Sequence, residues 1–217
     1  MSIIIPAILA HKFSDLEKQA KKMENIFDYI QIDVMDGEFV PNKSFEEIGK
    51  INDLHLKCKL ELHLMVNDPI AEMEKWKDVK NIFRVIFHIE TPQDPQTVIN
   101  YIRGKCWQVG IALNPDTSLS AVEPFLSLAD LILFMTVYPG RQGAPFVPQV
   151  LEKIKDFVNQ HTNQLTQQLL IAVDGGVNKE NIAALKNAGV EIFSVGSALT
   201  MAPNLRQAYN ELIKQFK

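Results

Sequence analysis

Residues 169–197 read LLIAVDGGVNKENIAALKNAGVEIFSVGS, from Leu169 to Ser197. An apolar run of strand length, 169–174, closes on Asp174 and the pair Gly175-Gly176. Asn178 then precedes an amphipathic stretch, 179–187, with Gly189 just past its end, the positions a helix N-cap and a left-handed terminal glycine take. A second strand-length run, 191–196, follows and leads into Gly196-Ser197. Two such runs joined through a helix form a parallel βαβ unit. Outward from it the same alternation fills the chain, with strand-length runs at 3–9, 28–33, 59–65, 84–88, 108–113 and 130–136. Ser14-Asp15-Leu16-Glu17 has capping-box spacing, and Asp68-Pro69 and Asp94-Pro95 place proline in a first helical turn. Eight βα units in 217 residues, with no Gly/Ser linker or low-complexity tract, predict one domain over 1–217. The expected fold is α/β, a single (β/α)8 TIM barrel. An open doubly wound sheet would want a glycine-rich turn after the first strand, and Leu9-Ala10-His11-Lys12 stands there instead.

Composition narrows the partners. The chain has 22 Lys+Arg against 26 Asp+Glu, a formal charge of −4, and its basic residues are scattered, so no nucleic acid and no membrane surface is expected. At 47% hydrophobic residues the chain can bury a full core, yet no apolar run approaches the ~20 residues of a bilayer span. Residues 1–9 lack a basic start and a small-residue cleavage site, which argues against a secretory signal and for a cytoplasmic location. Cys58 and Cys106, each within an apolar run, read as two reduced core thiols.

In such a barrel the chemistry belongs at the C-terminal ends of the strands. Those ends carry Ala7, then Gln31 with Asp33, His63, His88, Asn114, Met135-Thr136, Asp174 and Gly196-Ser197. Asp33 and Asp174 each close an apolar run and are placed to face the mouth. His63 reads equally as a core histidine or a site residue, and Asp36, followed by Gly37, as a turn former. His11, His55 and His161 read as surface residues. Gly175-Gly176 and Gly196-Ser197 follow strands seven and eight just before helices, where bare backbone N–H groups make an anion site. The loop after strand six, Tyr138-Pro139-Gly140-Arg141-Gln142-Gly143, is long enough to fold over a ligand.

The chain resembles the ribulose-phosphate 3-epimerase family. The resemblance is carried by Pro6-Ala7-Ile8-Leu9, Ile32-Asp33-Val34-Met35-Asp36-Gly37-Glu38-Phe39-Val40-Pro41-Asn42, His63-Leu64-Met65-Val66 and Phe87-His88-Ile89-Glu90. It continues through Met135-Thr136-Val137-Tyr138-Pro139-Gly140, Val173-Asp174-Gly175-Gly176-Val177 and Gly196-Ser197, so it spans essentially the whole chain. It implies a proton transfer at C3 of a ketopentose 5-phosphate, with Asp33 and Asp174 as the acid/base pair, and a small sugar phosphate as partner. It also implies one divalent metal ion, zinc in the family, held by Asp33, His63, Asp174 and the position of Gln31. Around the substrate it places His63, the methionines Met35, Met65 and Met135, and the lid residues Gly140, Arg141, Gln142 and Gly143. Gly175, Gly176, Gly196 and Ser197 match its phosphate site, and a homo-oligomer is what it suggests for assembly.

Three departures accompany the likeness. Gln31 stands where the family has a histidine ligand; a neutral amide oxygen suits harder ions better than zinc, and in a metal-free site the amide would donate to Asp33. Ala7 replaces a serine that bonds substrate, and Arg141-Gln142 replaces Phe-Gly in the lid. Ala7 and Arg141 motivate a second reading, an epimerase for another ketose phosphate. Gln31 motivates a third, a catalytically impaired phosphosugar-binding barrel. The related phosphate-binding decarboxylases use Asp-x-Lys-x-x-Asp, and Asp33-Val34-Met35-Asp36 supplies no lysine.

Overall fold

The eight apolar runs form β1 (Ile3–Leu9), β2 (Tyr29–Met35), β3 (Lys59–Met65), β4 (Ile82–His88), β5 (Gln108–Leu113), β6 (Leu131–Met135), β7 (Leu170–Asp174) and β8 (Ile192–Val195). In the computed structural model, which describes residues 2–140, 143–161 and 169–216, they pair in chain order, all parallel, and β8 closes on β1. The helices are α1 (Phe13–Met23), α2 (Pro69–Trp76), α3 (Pro95–Gly104), α4 (Gln149–His161), α5 (Ile182–Asn187), α6 (Ser197–Thr200) and α7 (Leu205–Lys214). None of the helices among the described residues is long and apolar enough to cross a membrane.

Proline explains why α2 and α3 start where the sequence places them. Asp68 and Asp94 each accept a backbone N–H, from Ala71 and Thr97, while Pro69 and Pro95 fill positions whose N–H would have no helical partner. The capping box expected at Ser14 does not form. The helix begins one residue earlier, at Phe13, whose ring packs on Phe45, so Ser14 already lies inside the first turn. Of the seven crossovers between successive strands, two hold 3-10 turns in place of an α-helix. Ile48–Leu54, between β2 and β3, buries Ile48, Ile51 and Leu54, a spacing of three that matches the 3-10 period. Between β5 and β6 lie Leu119–Ala121 and Glu123–Leu128, and Pro124 stands in the first turn of the second, where its missing N–H has no helical partner to lose. Two side chains depart from expectation: Cys106 is exposed, in a left-handed turn after α3 (φ +60°), and His161 is buried against Phe157.

Alternate residues of each strand face two separate cores. Outward ones such as Ile32, Leu62, Val85, Phe134 and Phe193 pack under the helices with Leu16, Met73, Ile99 and Phe157. Inward ones, among them Ile5, Ile86, Ala112, Leu131, Leu133, Ala172 and Ile192, fill the barrel. That filling is tight: a β-carbon added at Gly110 would lie 2.5 Å from Ile86 Cγ1. At the N-terminal end Arg84 closes the floor, donating to Glu61 (2.6 Å) and to Gln108 (2.8 and 3.1 Å).

Candidate active site

At the opposite end the inward alternation brings polar residues together. On β2 it turns Gln31, Asp33 and Met35 inward, and on β3 Glu61, His63 and Met65; the register sets Asp33 beside His63. On the far side β7 ends on Asp174, whose register partners are Met135 and Ser194. Asp33, His63 and Asp174 thus converge, all buried, each with a ligand atom within 4.8 Å of the others. His63 Nδ1 lies 3.2 Å from Asp33 Oδ1 and 3.3 Å from Asp174 Oδ2. Gln31, fully buried beneath them, donates from Nε2 to Asp33 Oδ1 (2.7 Å) and to Asp174 Oδ2 (2.5 Å). Its Oε1 accepts from the Ser194 hydroxyl at 2.6 Å.

The charges respond to this packing. Burial, reinforced by the Asp174 charge, pushes the Asp33 carboxyl above its ordinary range. Burial alone would lower His63, but hydrogen bonds and charge from Asp174 and Asp33 outweigh it and hold the imidazole at about 10. On its other side His63 Nε2 meets His88 Nε2 at 3.0 Å, and His88 Nδ1 meets Glu90 Oε2 at 3.1 Å. Burial and the neighbouring His63 keep His88 below its usual value, so it is neutral, its Nδ1–H donating to Glu90 and its Nε2 accepting from His63. Glu90 is itself fixed, accepting from the Asn114 N–H (2.7 Å) and the Thr117 hydroxyl.

The surrounding loops are tied to one another. Asp36 makes the turn expected of it, accepting from the Glu38 and Phe39 N–H groups (2.8 Å each), and also accepts from Asn67 N–H after β3 (2.7 Å). Asn42 donates to the Gly140 carbonyl at 2.5 Å, linking the loops after β2 and β6. Asp33, His63, Met65, Met135, Gly140, Gly143, Asp174, Gly175, Gly176, Gly196 and Ser197 all line one cavity, together with Ala7, Leu9 and Val137. Met35 stands behind that wall, packed on Met65 and Val40. Arg141 and Gln142 lie outside the described residues. Gly175 adopts φ +107°, and a β-carbon there would fall 2.4 Å from Val137 Cγ2, so only glycine lets the backbone pass. Ser194 carries no motif that singles it out, and its role emerges from a partner 163 residues away; His88, expected at its strand end, finds its partner in His63, 25 residues away.

Two carboxylates and an imidazole within this spacing suit a divalent cation, so Asp33, His63 and Asp174 fit the metal that the likeness implies. Gln31 turns its nitrogen, not its oxygen, toward the same point.

Comparison with known proteins agrees. The family model described as the ribulose-phosphate 3 epimerase family matches residues 3–200. Among curated proteins, a ribulose-phosphate 3-epimerase of Chlamydia pneumoniae is 34% identical over 211 residues, covering 94% of this chain and 90% of that one. One of Bacillus subtilis is 34% identical over 216 residues, covering 96% and 97%. Among solved structures, 3-hexulose-6-phosphate synthase from Salmonella typhimurium superposes with TM-score 0.70 at 17% identity, over 99% of this chain and 98% of that one, a likeness of fold alone.

Proposed function

The chain belongs to the ribulose-phosphate 3-epimerase family, and we propose that it interconverts D-ribulose 5-phosphate and D-xylulose 5-phosphate by passing the C3 proton through Asp33 and Asp174. One observation carries the reading: two buried carboxylates, from β2 and β7, meet at the wall of a single cavity. Inversion at carbon needs two groups, because one base returns the proton to the face it came from. In each direction one carboxylate takes the C3 proton from one face as the C3–H bond breaks. Its electron pair delocalises onto the neighbouring carbonyl oxygen, and the other carboxyl delivers a proton to the opposite face. The raised affinity of Asp33 for a proton suits it to deliver one. Met65 and Met135 put apolar, polarisable surface around the reacting carbons, and Met35 backs them. Gly175, Gly176, Gly196 and Ser197 are proposed to hold the phosphate through backbone N–H groups, with Gly140, Arg141, Gln142 and Gly143 forming the lid over it.

A divalent ion on Asp33, His63 and Asp174 would supply positive charge beside the oxygen that turns negative and reduce the repulsion between the two carboxylates. Zinc is the ion that the family likeness implies; metal analysis of the isolated protein identifies it. A homo-oligomer is proposed on the same likeness, and light scattering tests the assembly.

The test is exchange of the C3 proton of ribulose 5-phosphate in deuterated water, with zinc, manganese or magnesium in excess. The wild type should exchange, and Asp174→Asn should lower the rate by roughly 10²–10⁴-fold with an unchanged circular-dichroism spectrum. A wild type inert with every ion ends the epimerase reading. Ala7, in the cavity wall in place of the family's serine, favours a second reading, another ketose phosphate as substrate; it would show as faster exchange on that sugar.

A further inference from the structure

Gln31 has no exposed surface, and its carboxamide is surrounded by three named partners. The two ends of that group are not equivalent: the nitrogen carries two hydrogens at a fixed angle and the oxygen carries none. Facing it are Asp33 Oδ1 and Asp174 Oδ2, and an ionised carboxylate can only accept. With the amide turned the other way, its carbonyl oxygen would lie at 2.5 and 2.7 Å from two carboxylate oxygens with no hydrogen between them. The observed orientation gives each carboxylate one hydrogen and leaves the carbonyl pointing across β1 toward β8. There the Ser194 hydroxyl, 1% exposed, supplies the donor that a buried carbonyl requires.

We infer that Gln31, held by Ser194, is a positioning residue that clamps Asp33 and Asp174 together through its two amide hydrogens and does not serve as a metal ligand. The inference deepens the proposed function, resting on it for the acid/base role of the two carboxylates. A histidine at this position would bring a ligating nitrogen. The carboxamide instead brings donors that fix where the carboxylate oxygens lie, so an ion here has three protein ligands. Ser194 matters because without its hydroxyl the Gln31 carbonyl loses the donor it has among the described residues and the clamp loses its fixed orientation.

Two measurements test this, and neither needs turnover, so their failure is distinct from failure of the epimerase reading. The first follows the side-chain amide of Gln31 by NMR in metal-free protein labelled with ¹⁵N-glutamine. Both amide hydrogens should resonate downfield of exposed glutamines and exchange slowly with solvent. Ser194→Thr, which keeps a hydroxyl, should retain that signature, and Ser194→Ala should lose it. A Gln31 amide with the shift and exchange rate of an exposed glutamine in the wild type overturns the inference. The second repeats that spectrum with Zn²⁺ added in excess. A clamp that donates no lone pair keeps both amide hydrogens on the carboxylates, so the downfield, slowly exchanging signature should persist with the ion bound. A carbonyl that turned to ligate the ion would carry the amide hydrogens away from Asp33 and Asp174, and loss of the signature on zinc binding overturns the inference.

Discussion

Raising the pH should tighten divalent-metal binding at the Asp33, His63, Asp174 cluster, because the ion must displace a proton that the cluster itself holds. The atom at stake is His63 Nδ1: Nε2 donates to His88, which leaves Nδ1 to face Asp33 Oδ1 at 3.2 Å and Asp174 Oδ2 at 3.3 Å. Burial disfavours the imidazolium, yet the two carboxylates prevail and hold the group at about 10 against an ordinary 6.5. At neutral pH the proton is then strongly favoured over the vacant nitrogen, which penalises any ligand that needs the lone pair. The sign follows directly: a raised folded-state value means the proton is bound throughout the neutral range, so binding of the ion releases it and improves as pH rises. From about pH 6.5 to about pH 8.5 the apparent Kd for Mn²⁺ should fall by roughly 100-fold, about tenfold per pH unit, with close to one proton released per ion. Asp33, also raised, adds to the slope at the acid end. Calorimetry in two buffers of different ionisation enthalpy reads both affinity and proton count. His63→Asn should bind more weakly and lose the neutral slope. A wild type whose Mn²⁺ affinity is flat over this range, with no proton released, would refute the electrostatic account of the cluster.

Other perturbations separate the wall, the loops proposed to hold phosphate, and the floor. Ala7→Ser restores a hydroxyl to the cavity wall and should lower KM for ribulose 5-phosphate about fivefold, the equivalent of about 1 kcal/mol, with kcat unchanged; an unaltered KM would show that no substrate oxygen reaches residue 7. Gly175→Ala forces a β-carbon to 2.4 Å from Val137 Cγ2 at φ +107°, and urea denaturation should show a loss of about 1–3 kcal/mol alongside a raised KM. Arg84→Ala strands Glu61 in the barrel floor and should cost about 3–5 kcal/mol, while C3 exchange per folded molecule stays at the wild-type rate; slowed exchange would mean floor and mouth are coupled.

The strands were legible because both of their faces are buried, so each reads as an unbroken apolar run whose ends differ from the structure by at most two residues. The crossovers were less so. Ile48, Ile51 and Leu54 bury every third residue, a pattern that a short α-helix shares, and only packing chose the 3-10 form. Ser14 and Glu17 have the spacing of a capping box without its geometry, whereas Asp68 and Asp94 sit beside prolines that leave one place for a helix to begin. Cys106 belongs to an apolar stretch by composition but occupies the turn that reverses the chain into β5, and so faces solvent. In the site, Asp33, His63 and Asp174 could be found because they interrupt apolar runs near strand ends. Ser194 interrupts one too, yet a serine among Ile192, Phe193 and Val195 signals nothing until β8 is seen closing on β1, which brings it to Gln31.

That closure has a consequence for how the site is kept accurate. Gln31, Asp33, His63, Asp174 and Ser194 all stand on barrel strands, and the loops brace them from behind, Ser44 on the Asp33 carbonyl, Thr136 on the Asp174 carbonyl and Glu90 through His88. Strand register is protected by the side-chain alternation itself: a slip of one residue on β2 would send Asp33 into the shell under the helices and Ile32 into the mouth. The loops after β6 and β7 and the start of α6 line the same cavity with glycines and with Val137, Pro139, Ala144 and Val177, so that among the described residues Ser197 is the polar side chain they bring to it. On the proposed mechanism, proton transfer, which tolerates errors of only tenths of an ångström, falls to strand-borne residues, and substrate capture to segments that can change without disturbing the carboxylate pair. Departures from the family in the expected lid and in the wall, at Arg141, Gln142 and Ala7, are for this reason compatible with the proposed acid/base pair. The departure at Gln31 differs in kind, because it lies among the strand-borne residues, and it comes with Ser194 to satisfy the buried carbonyl that it introduces.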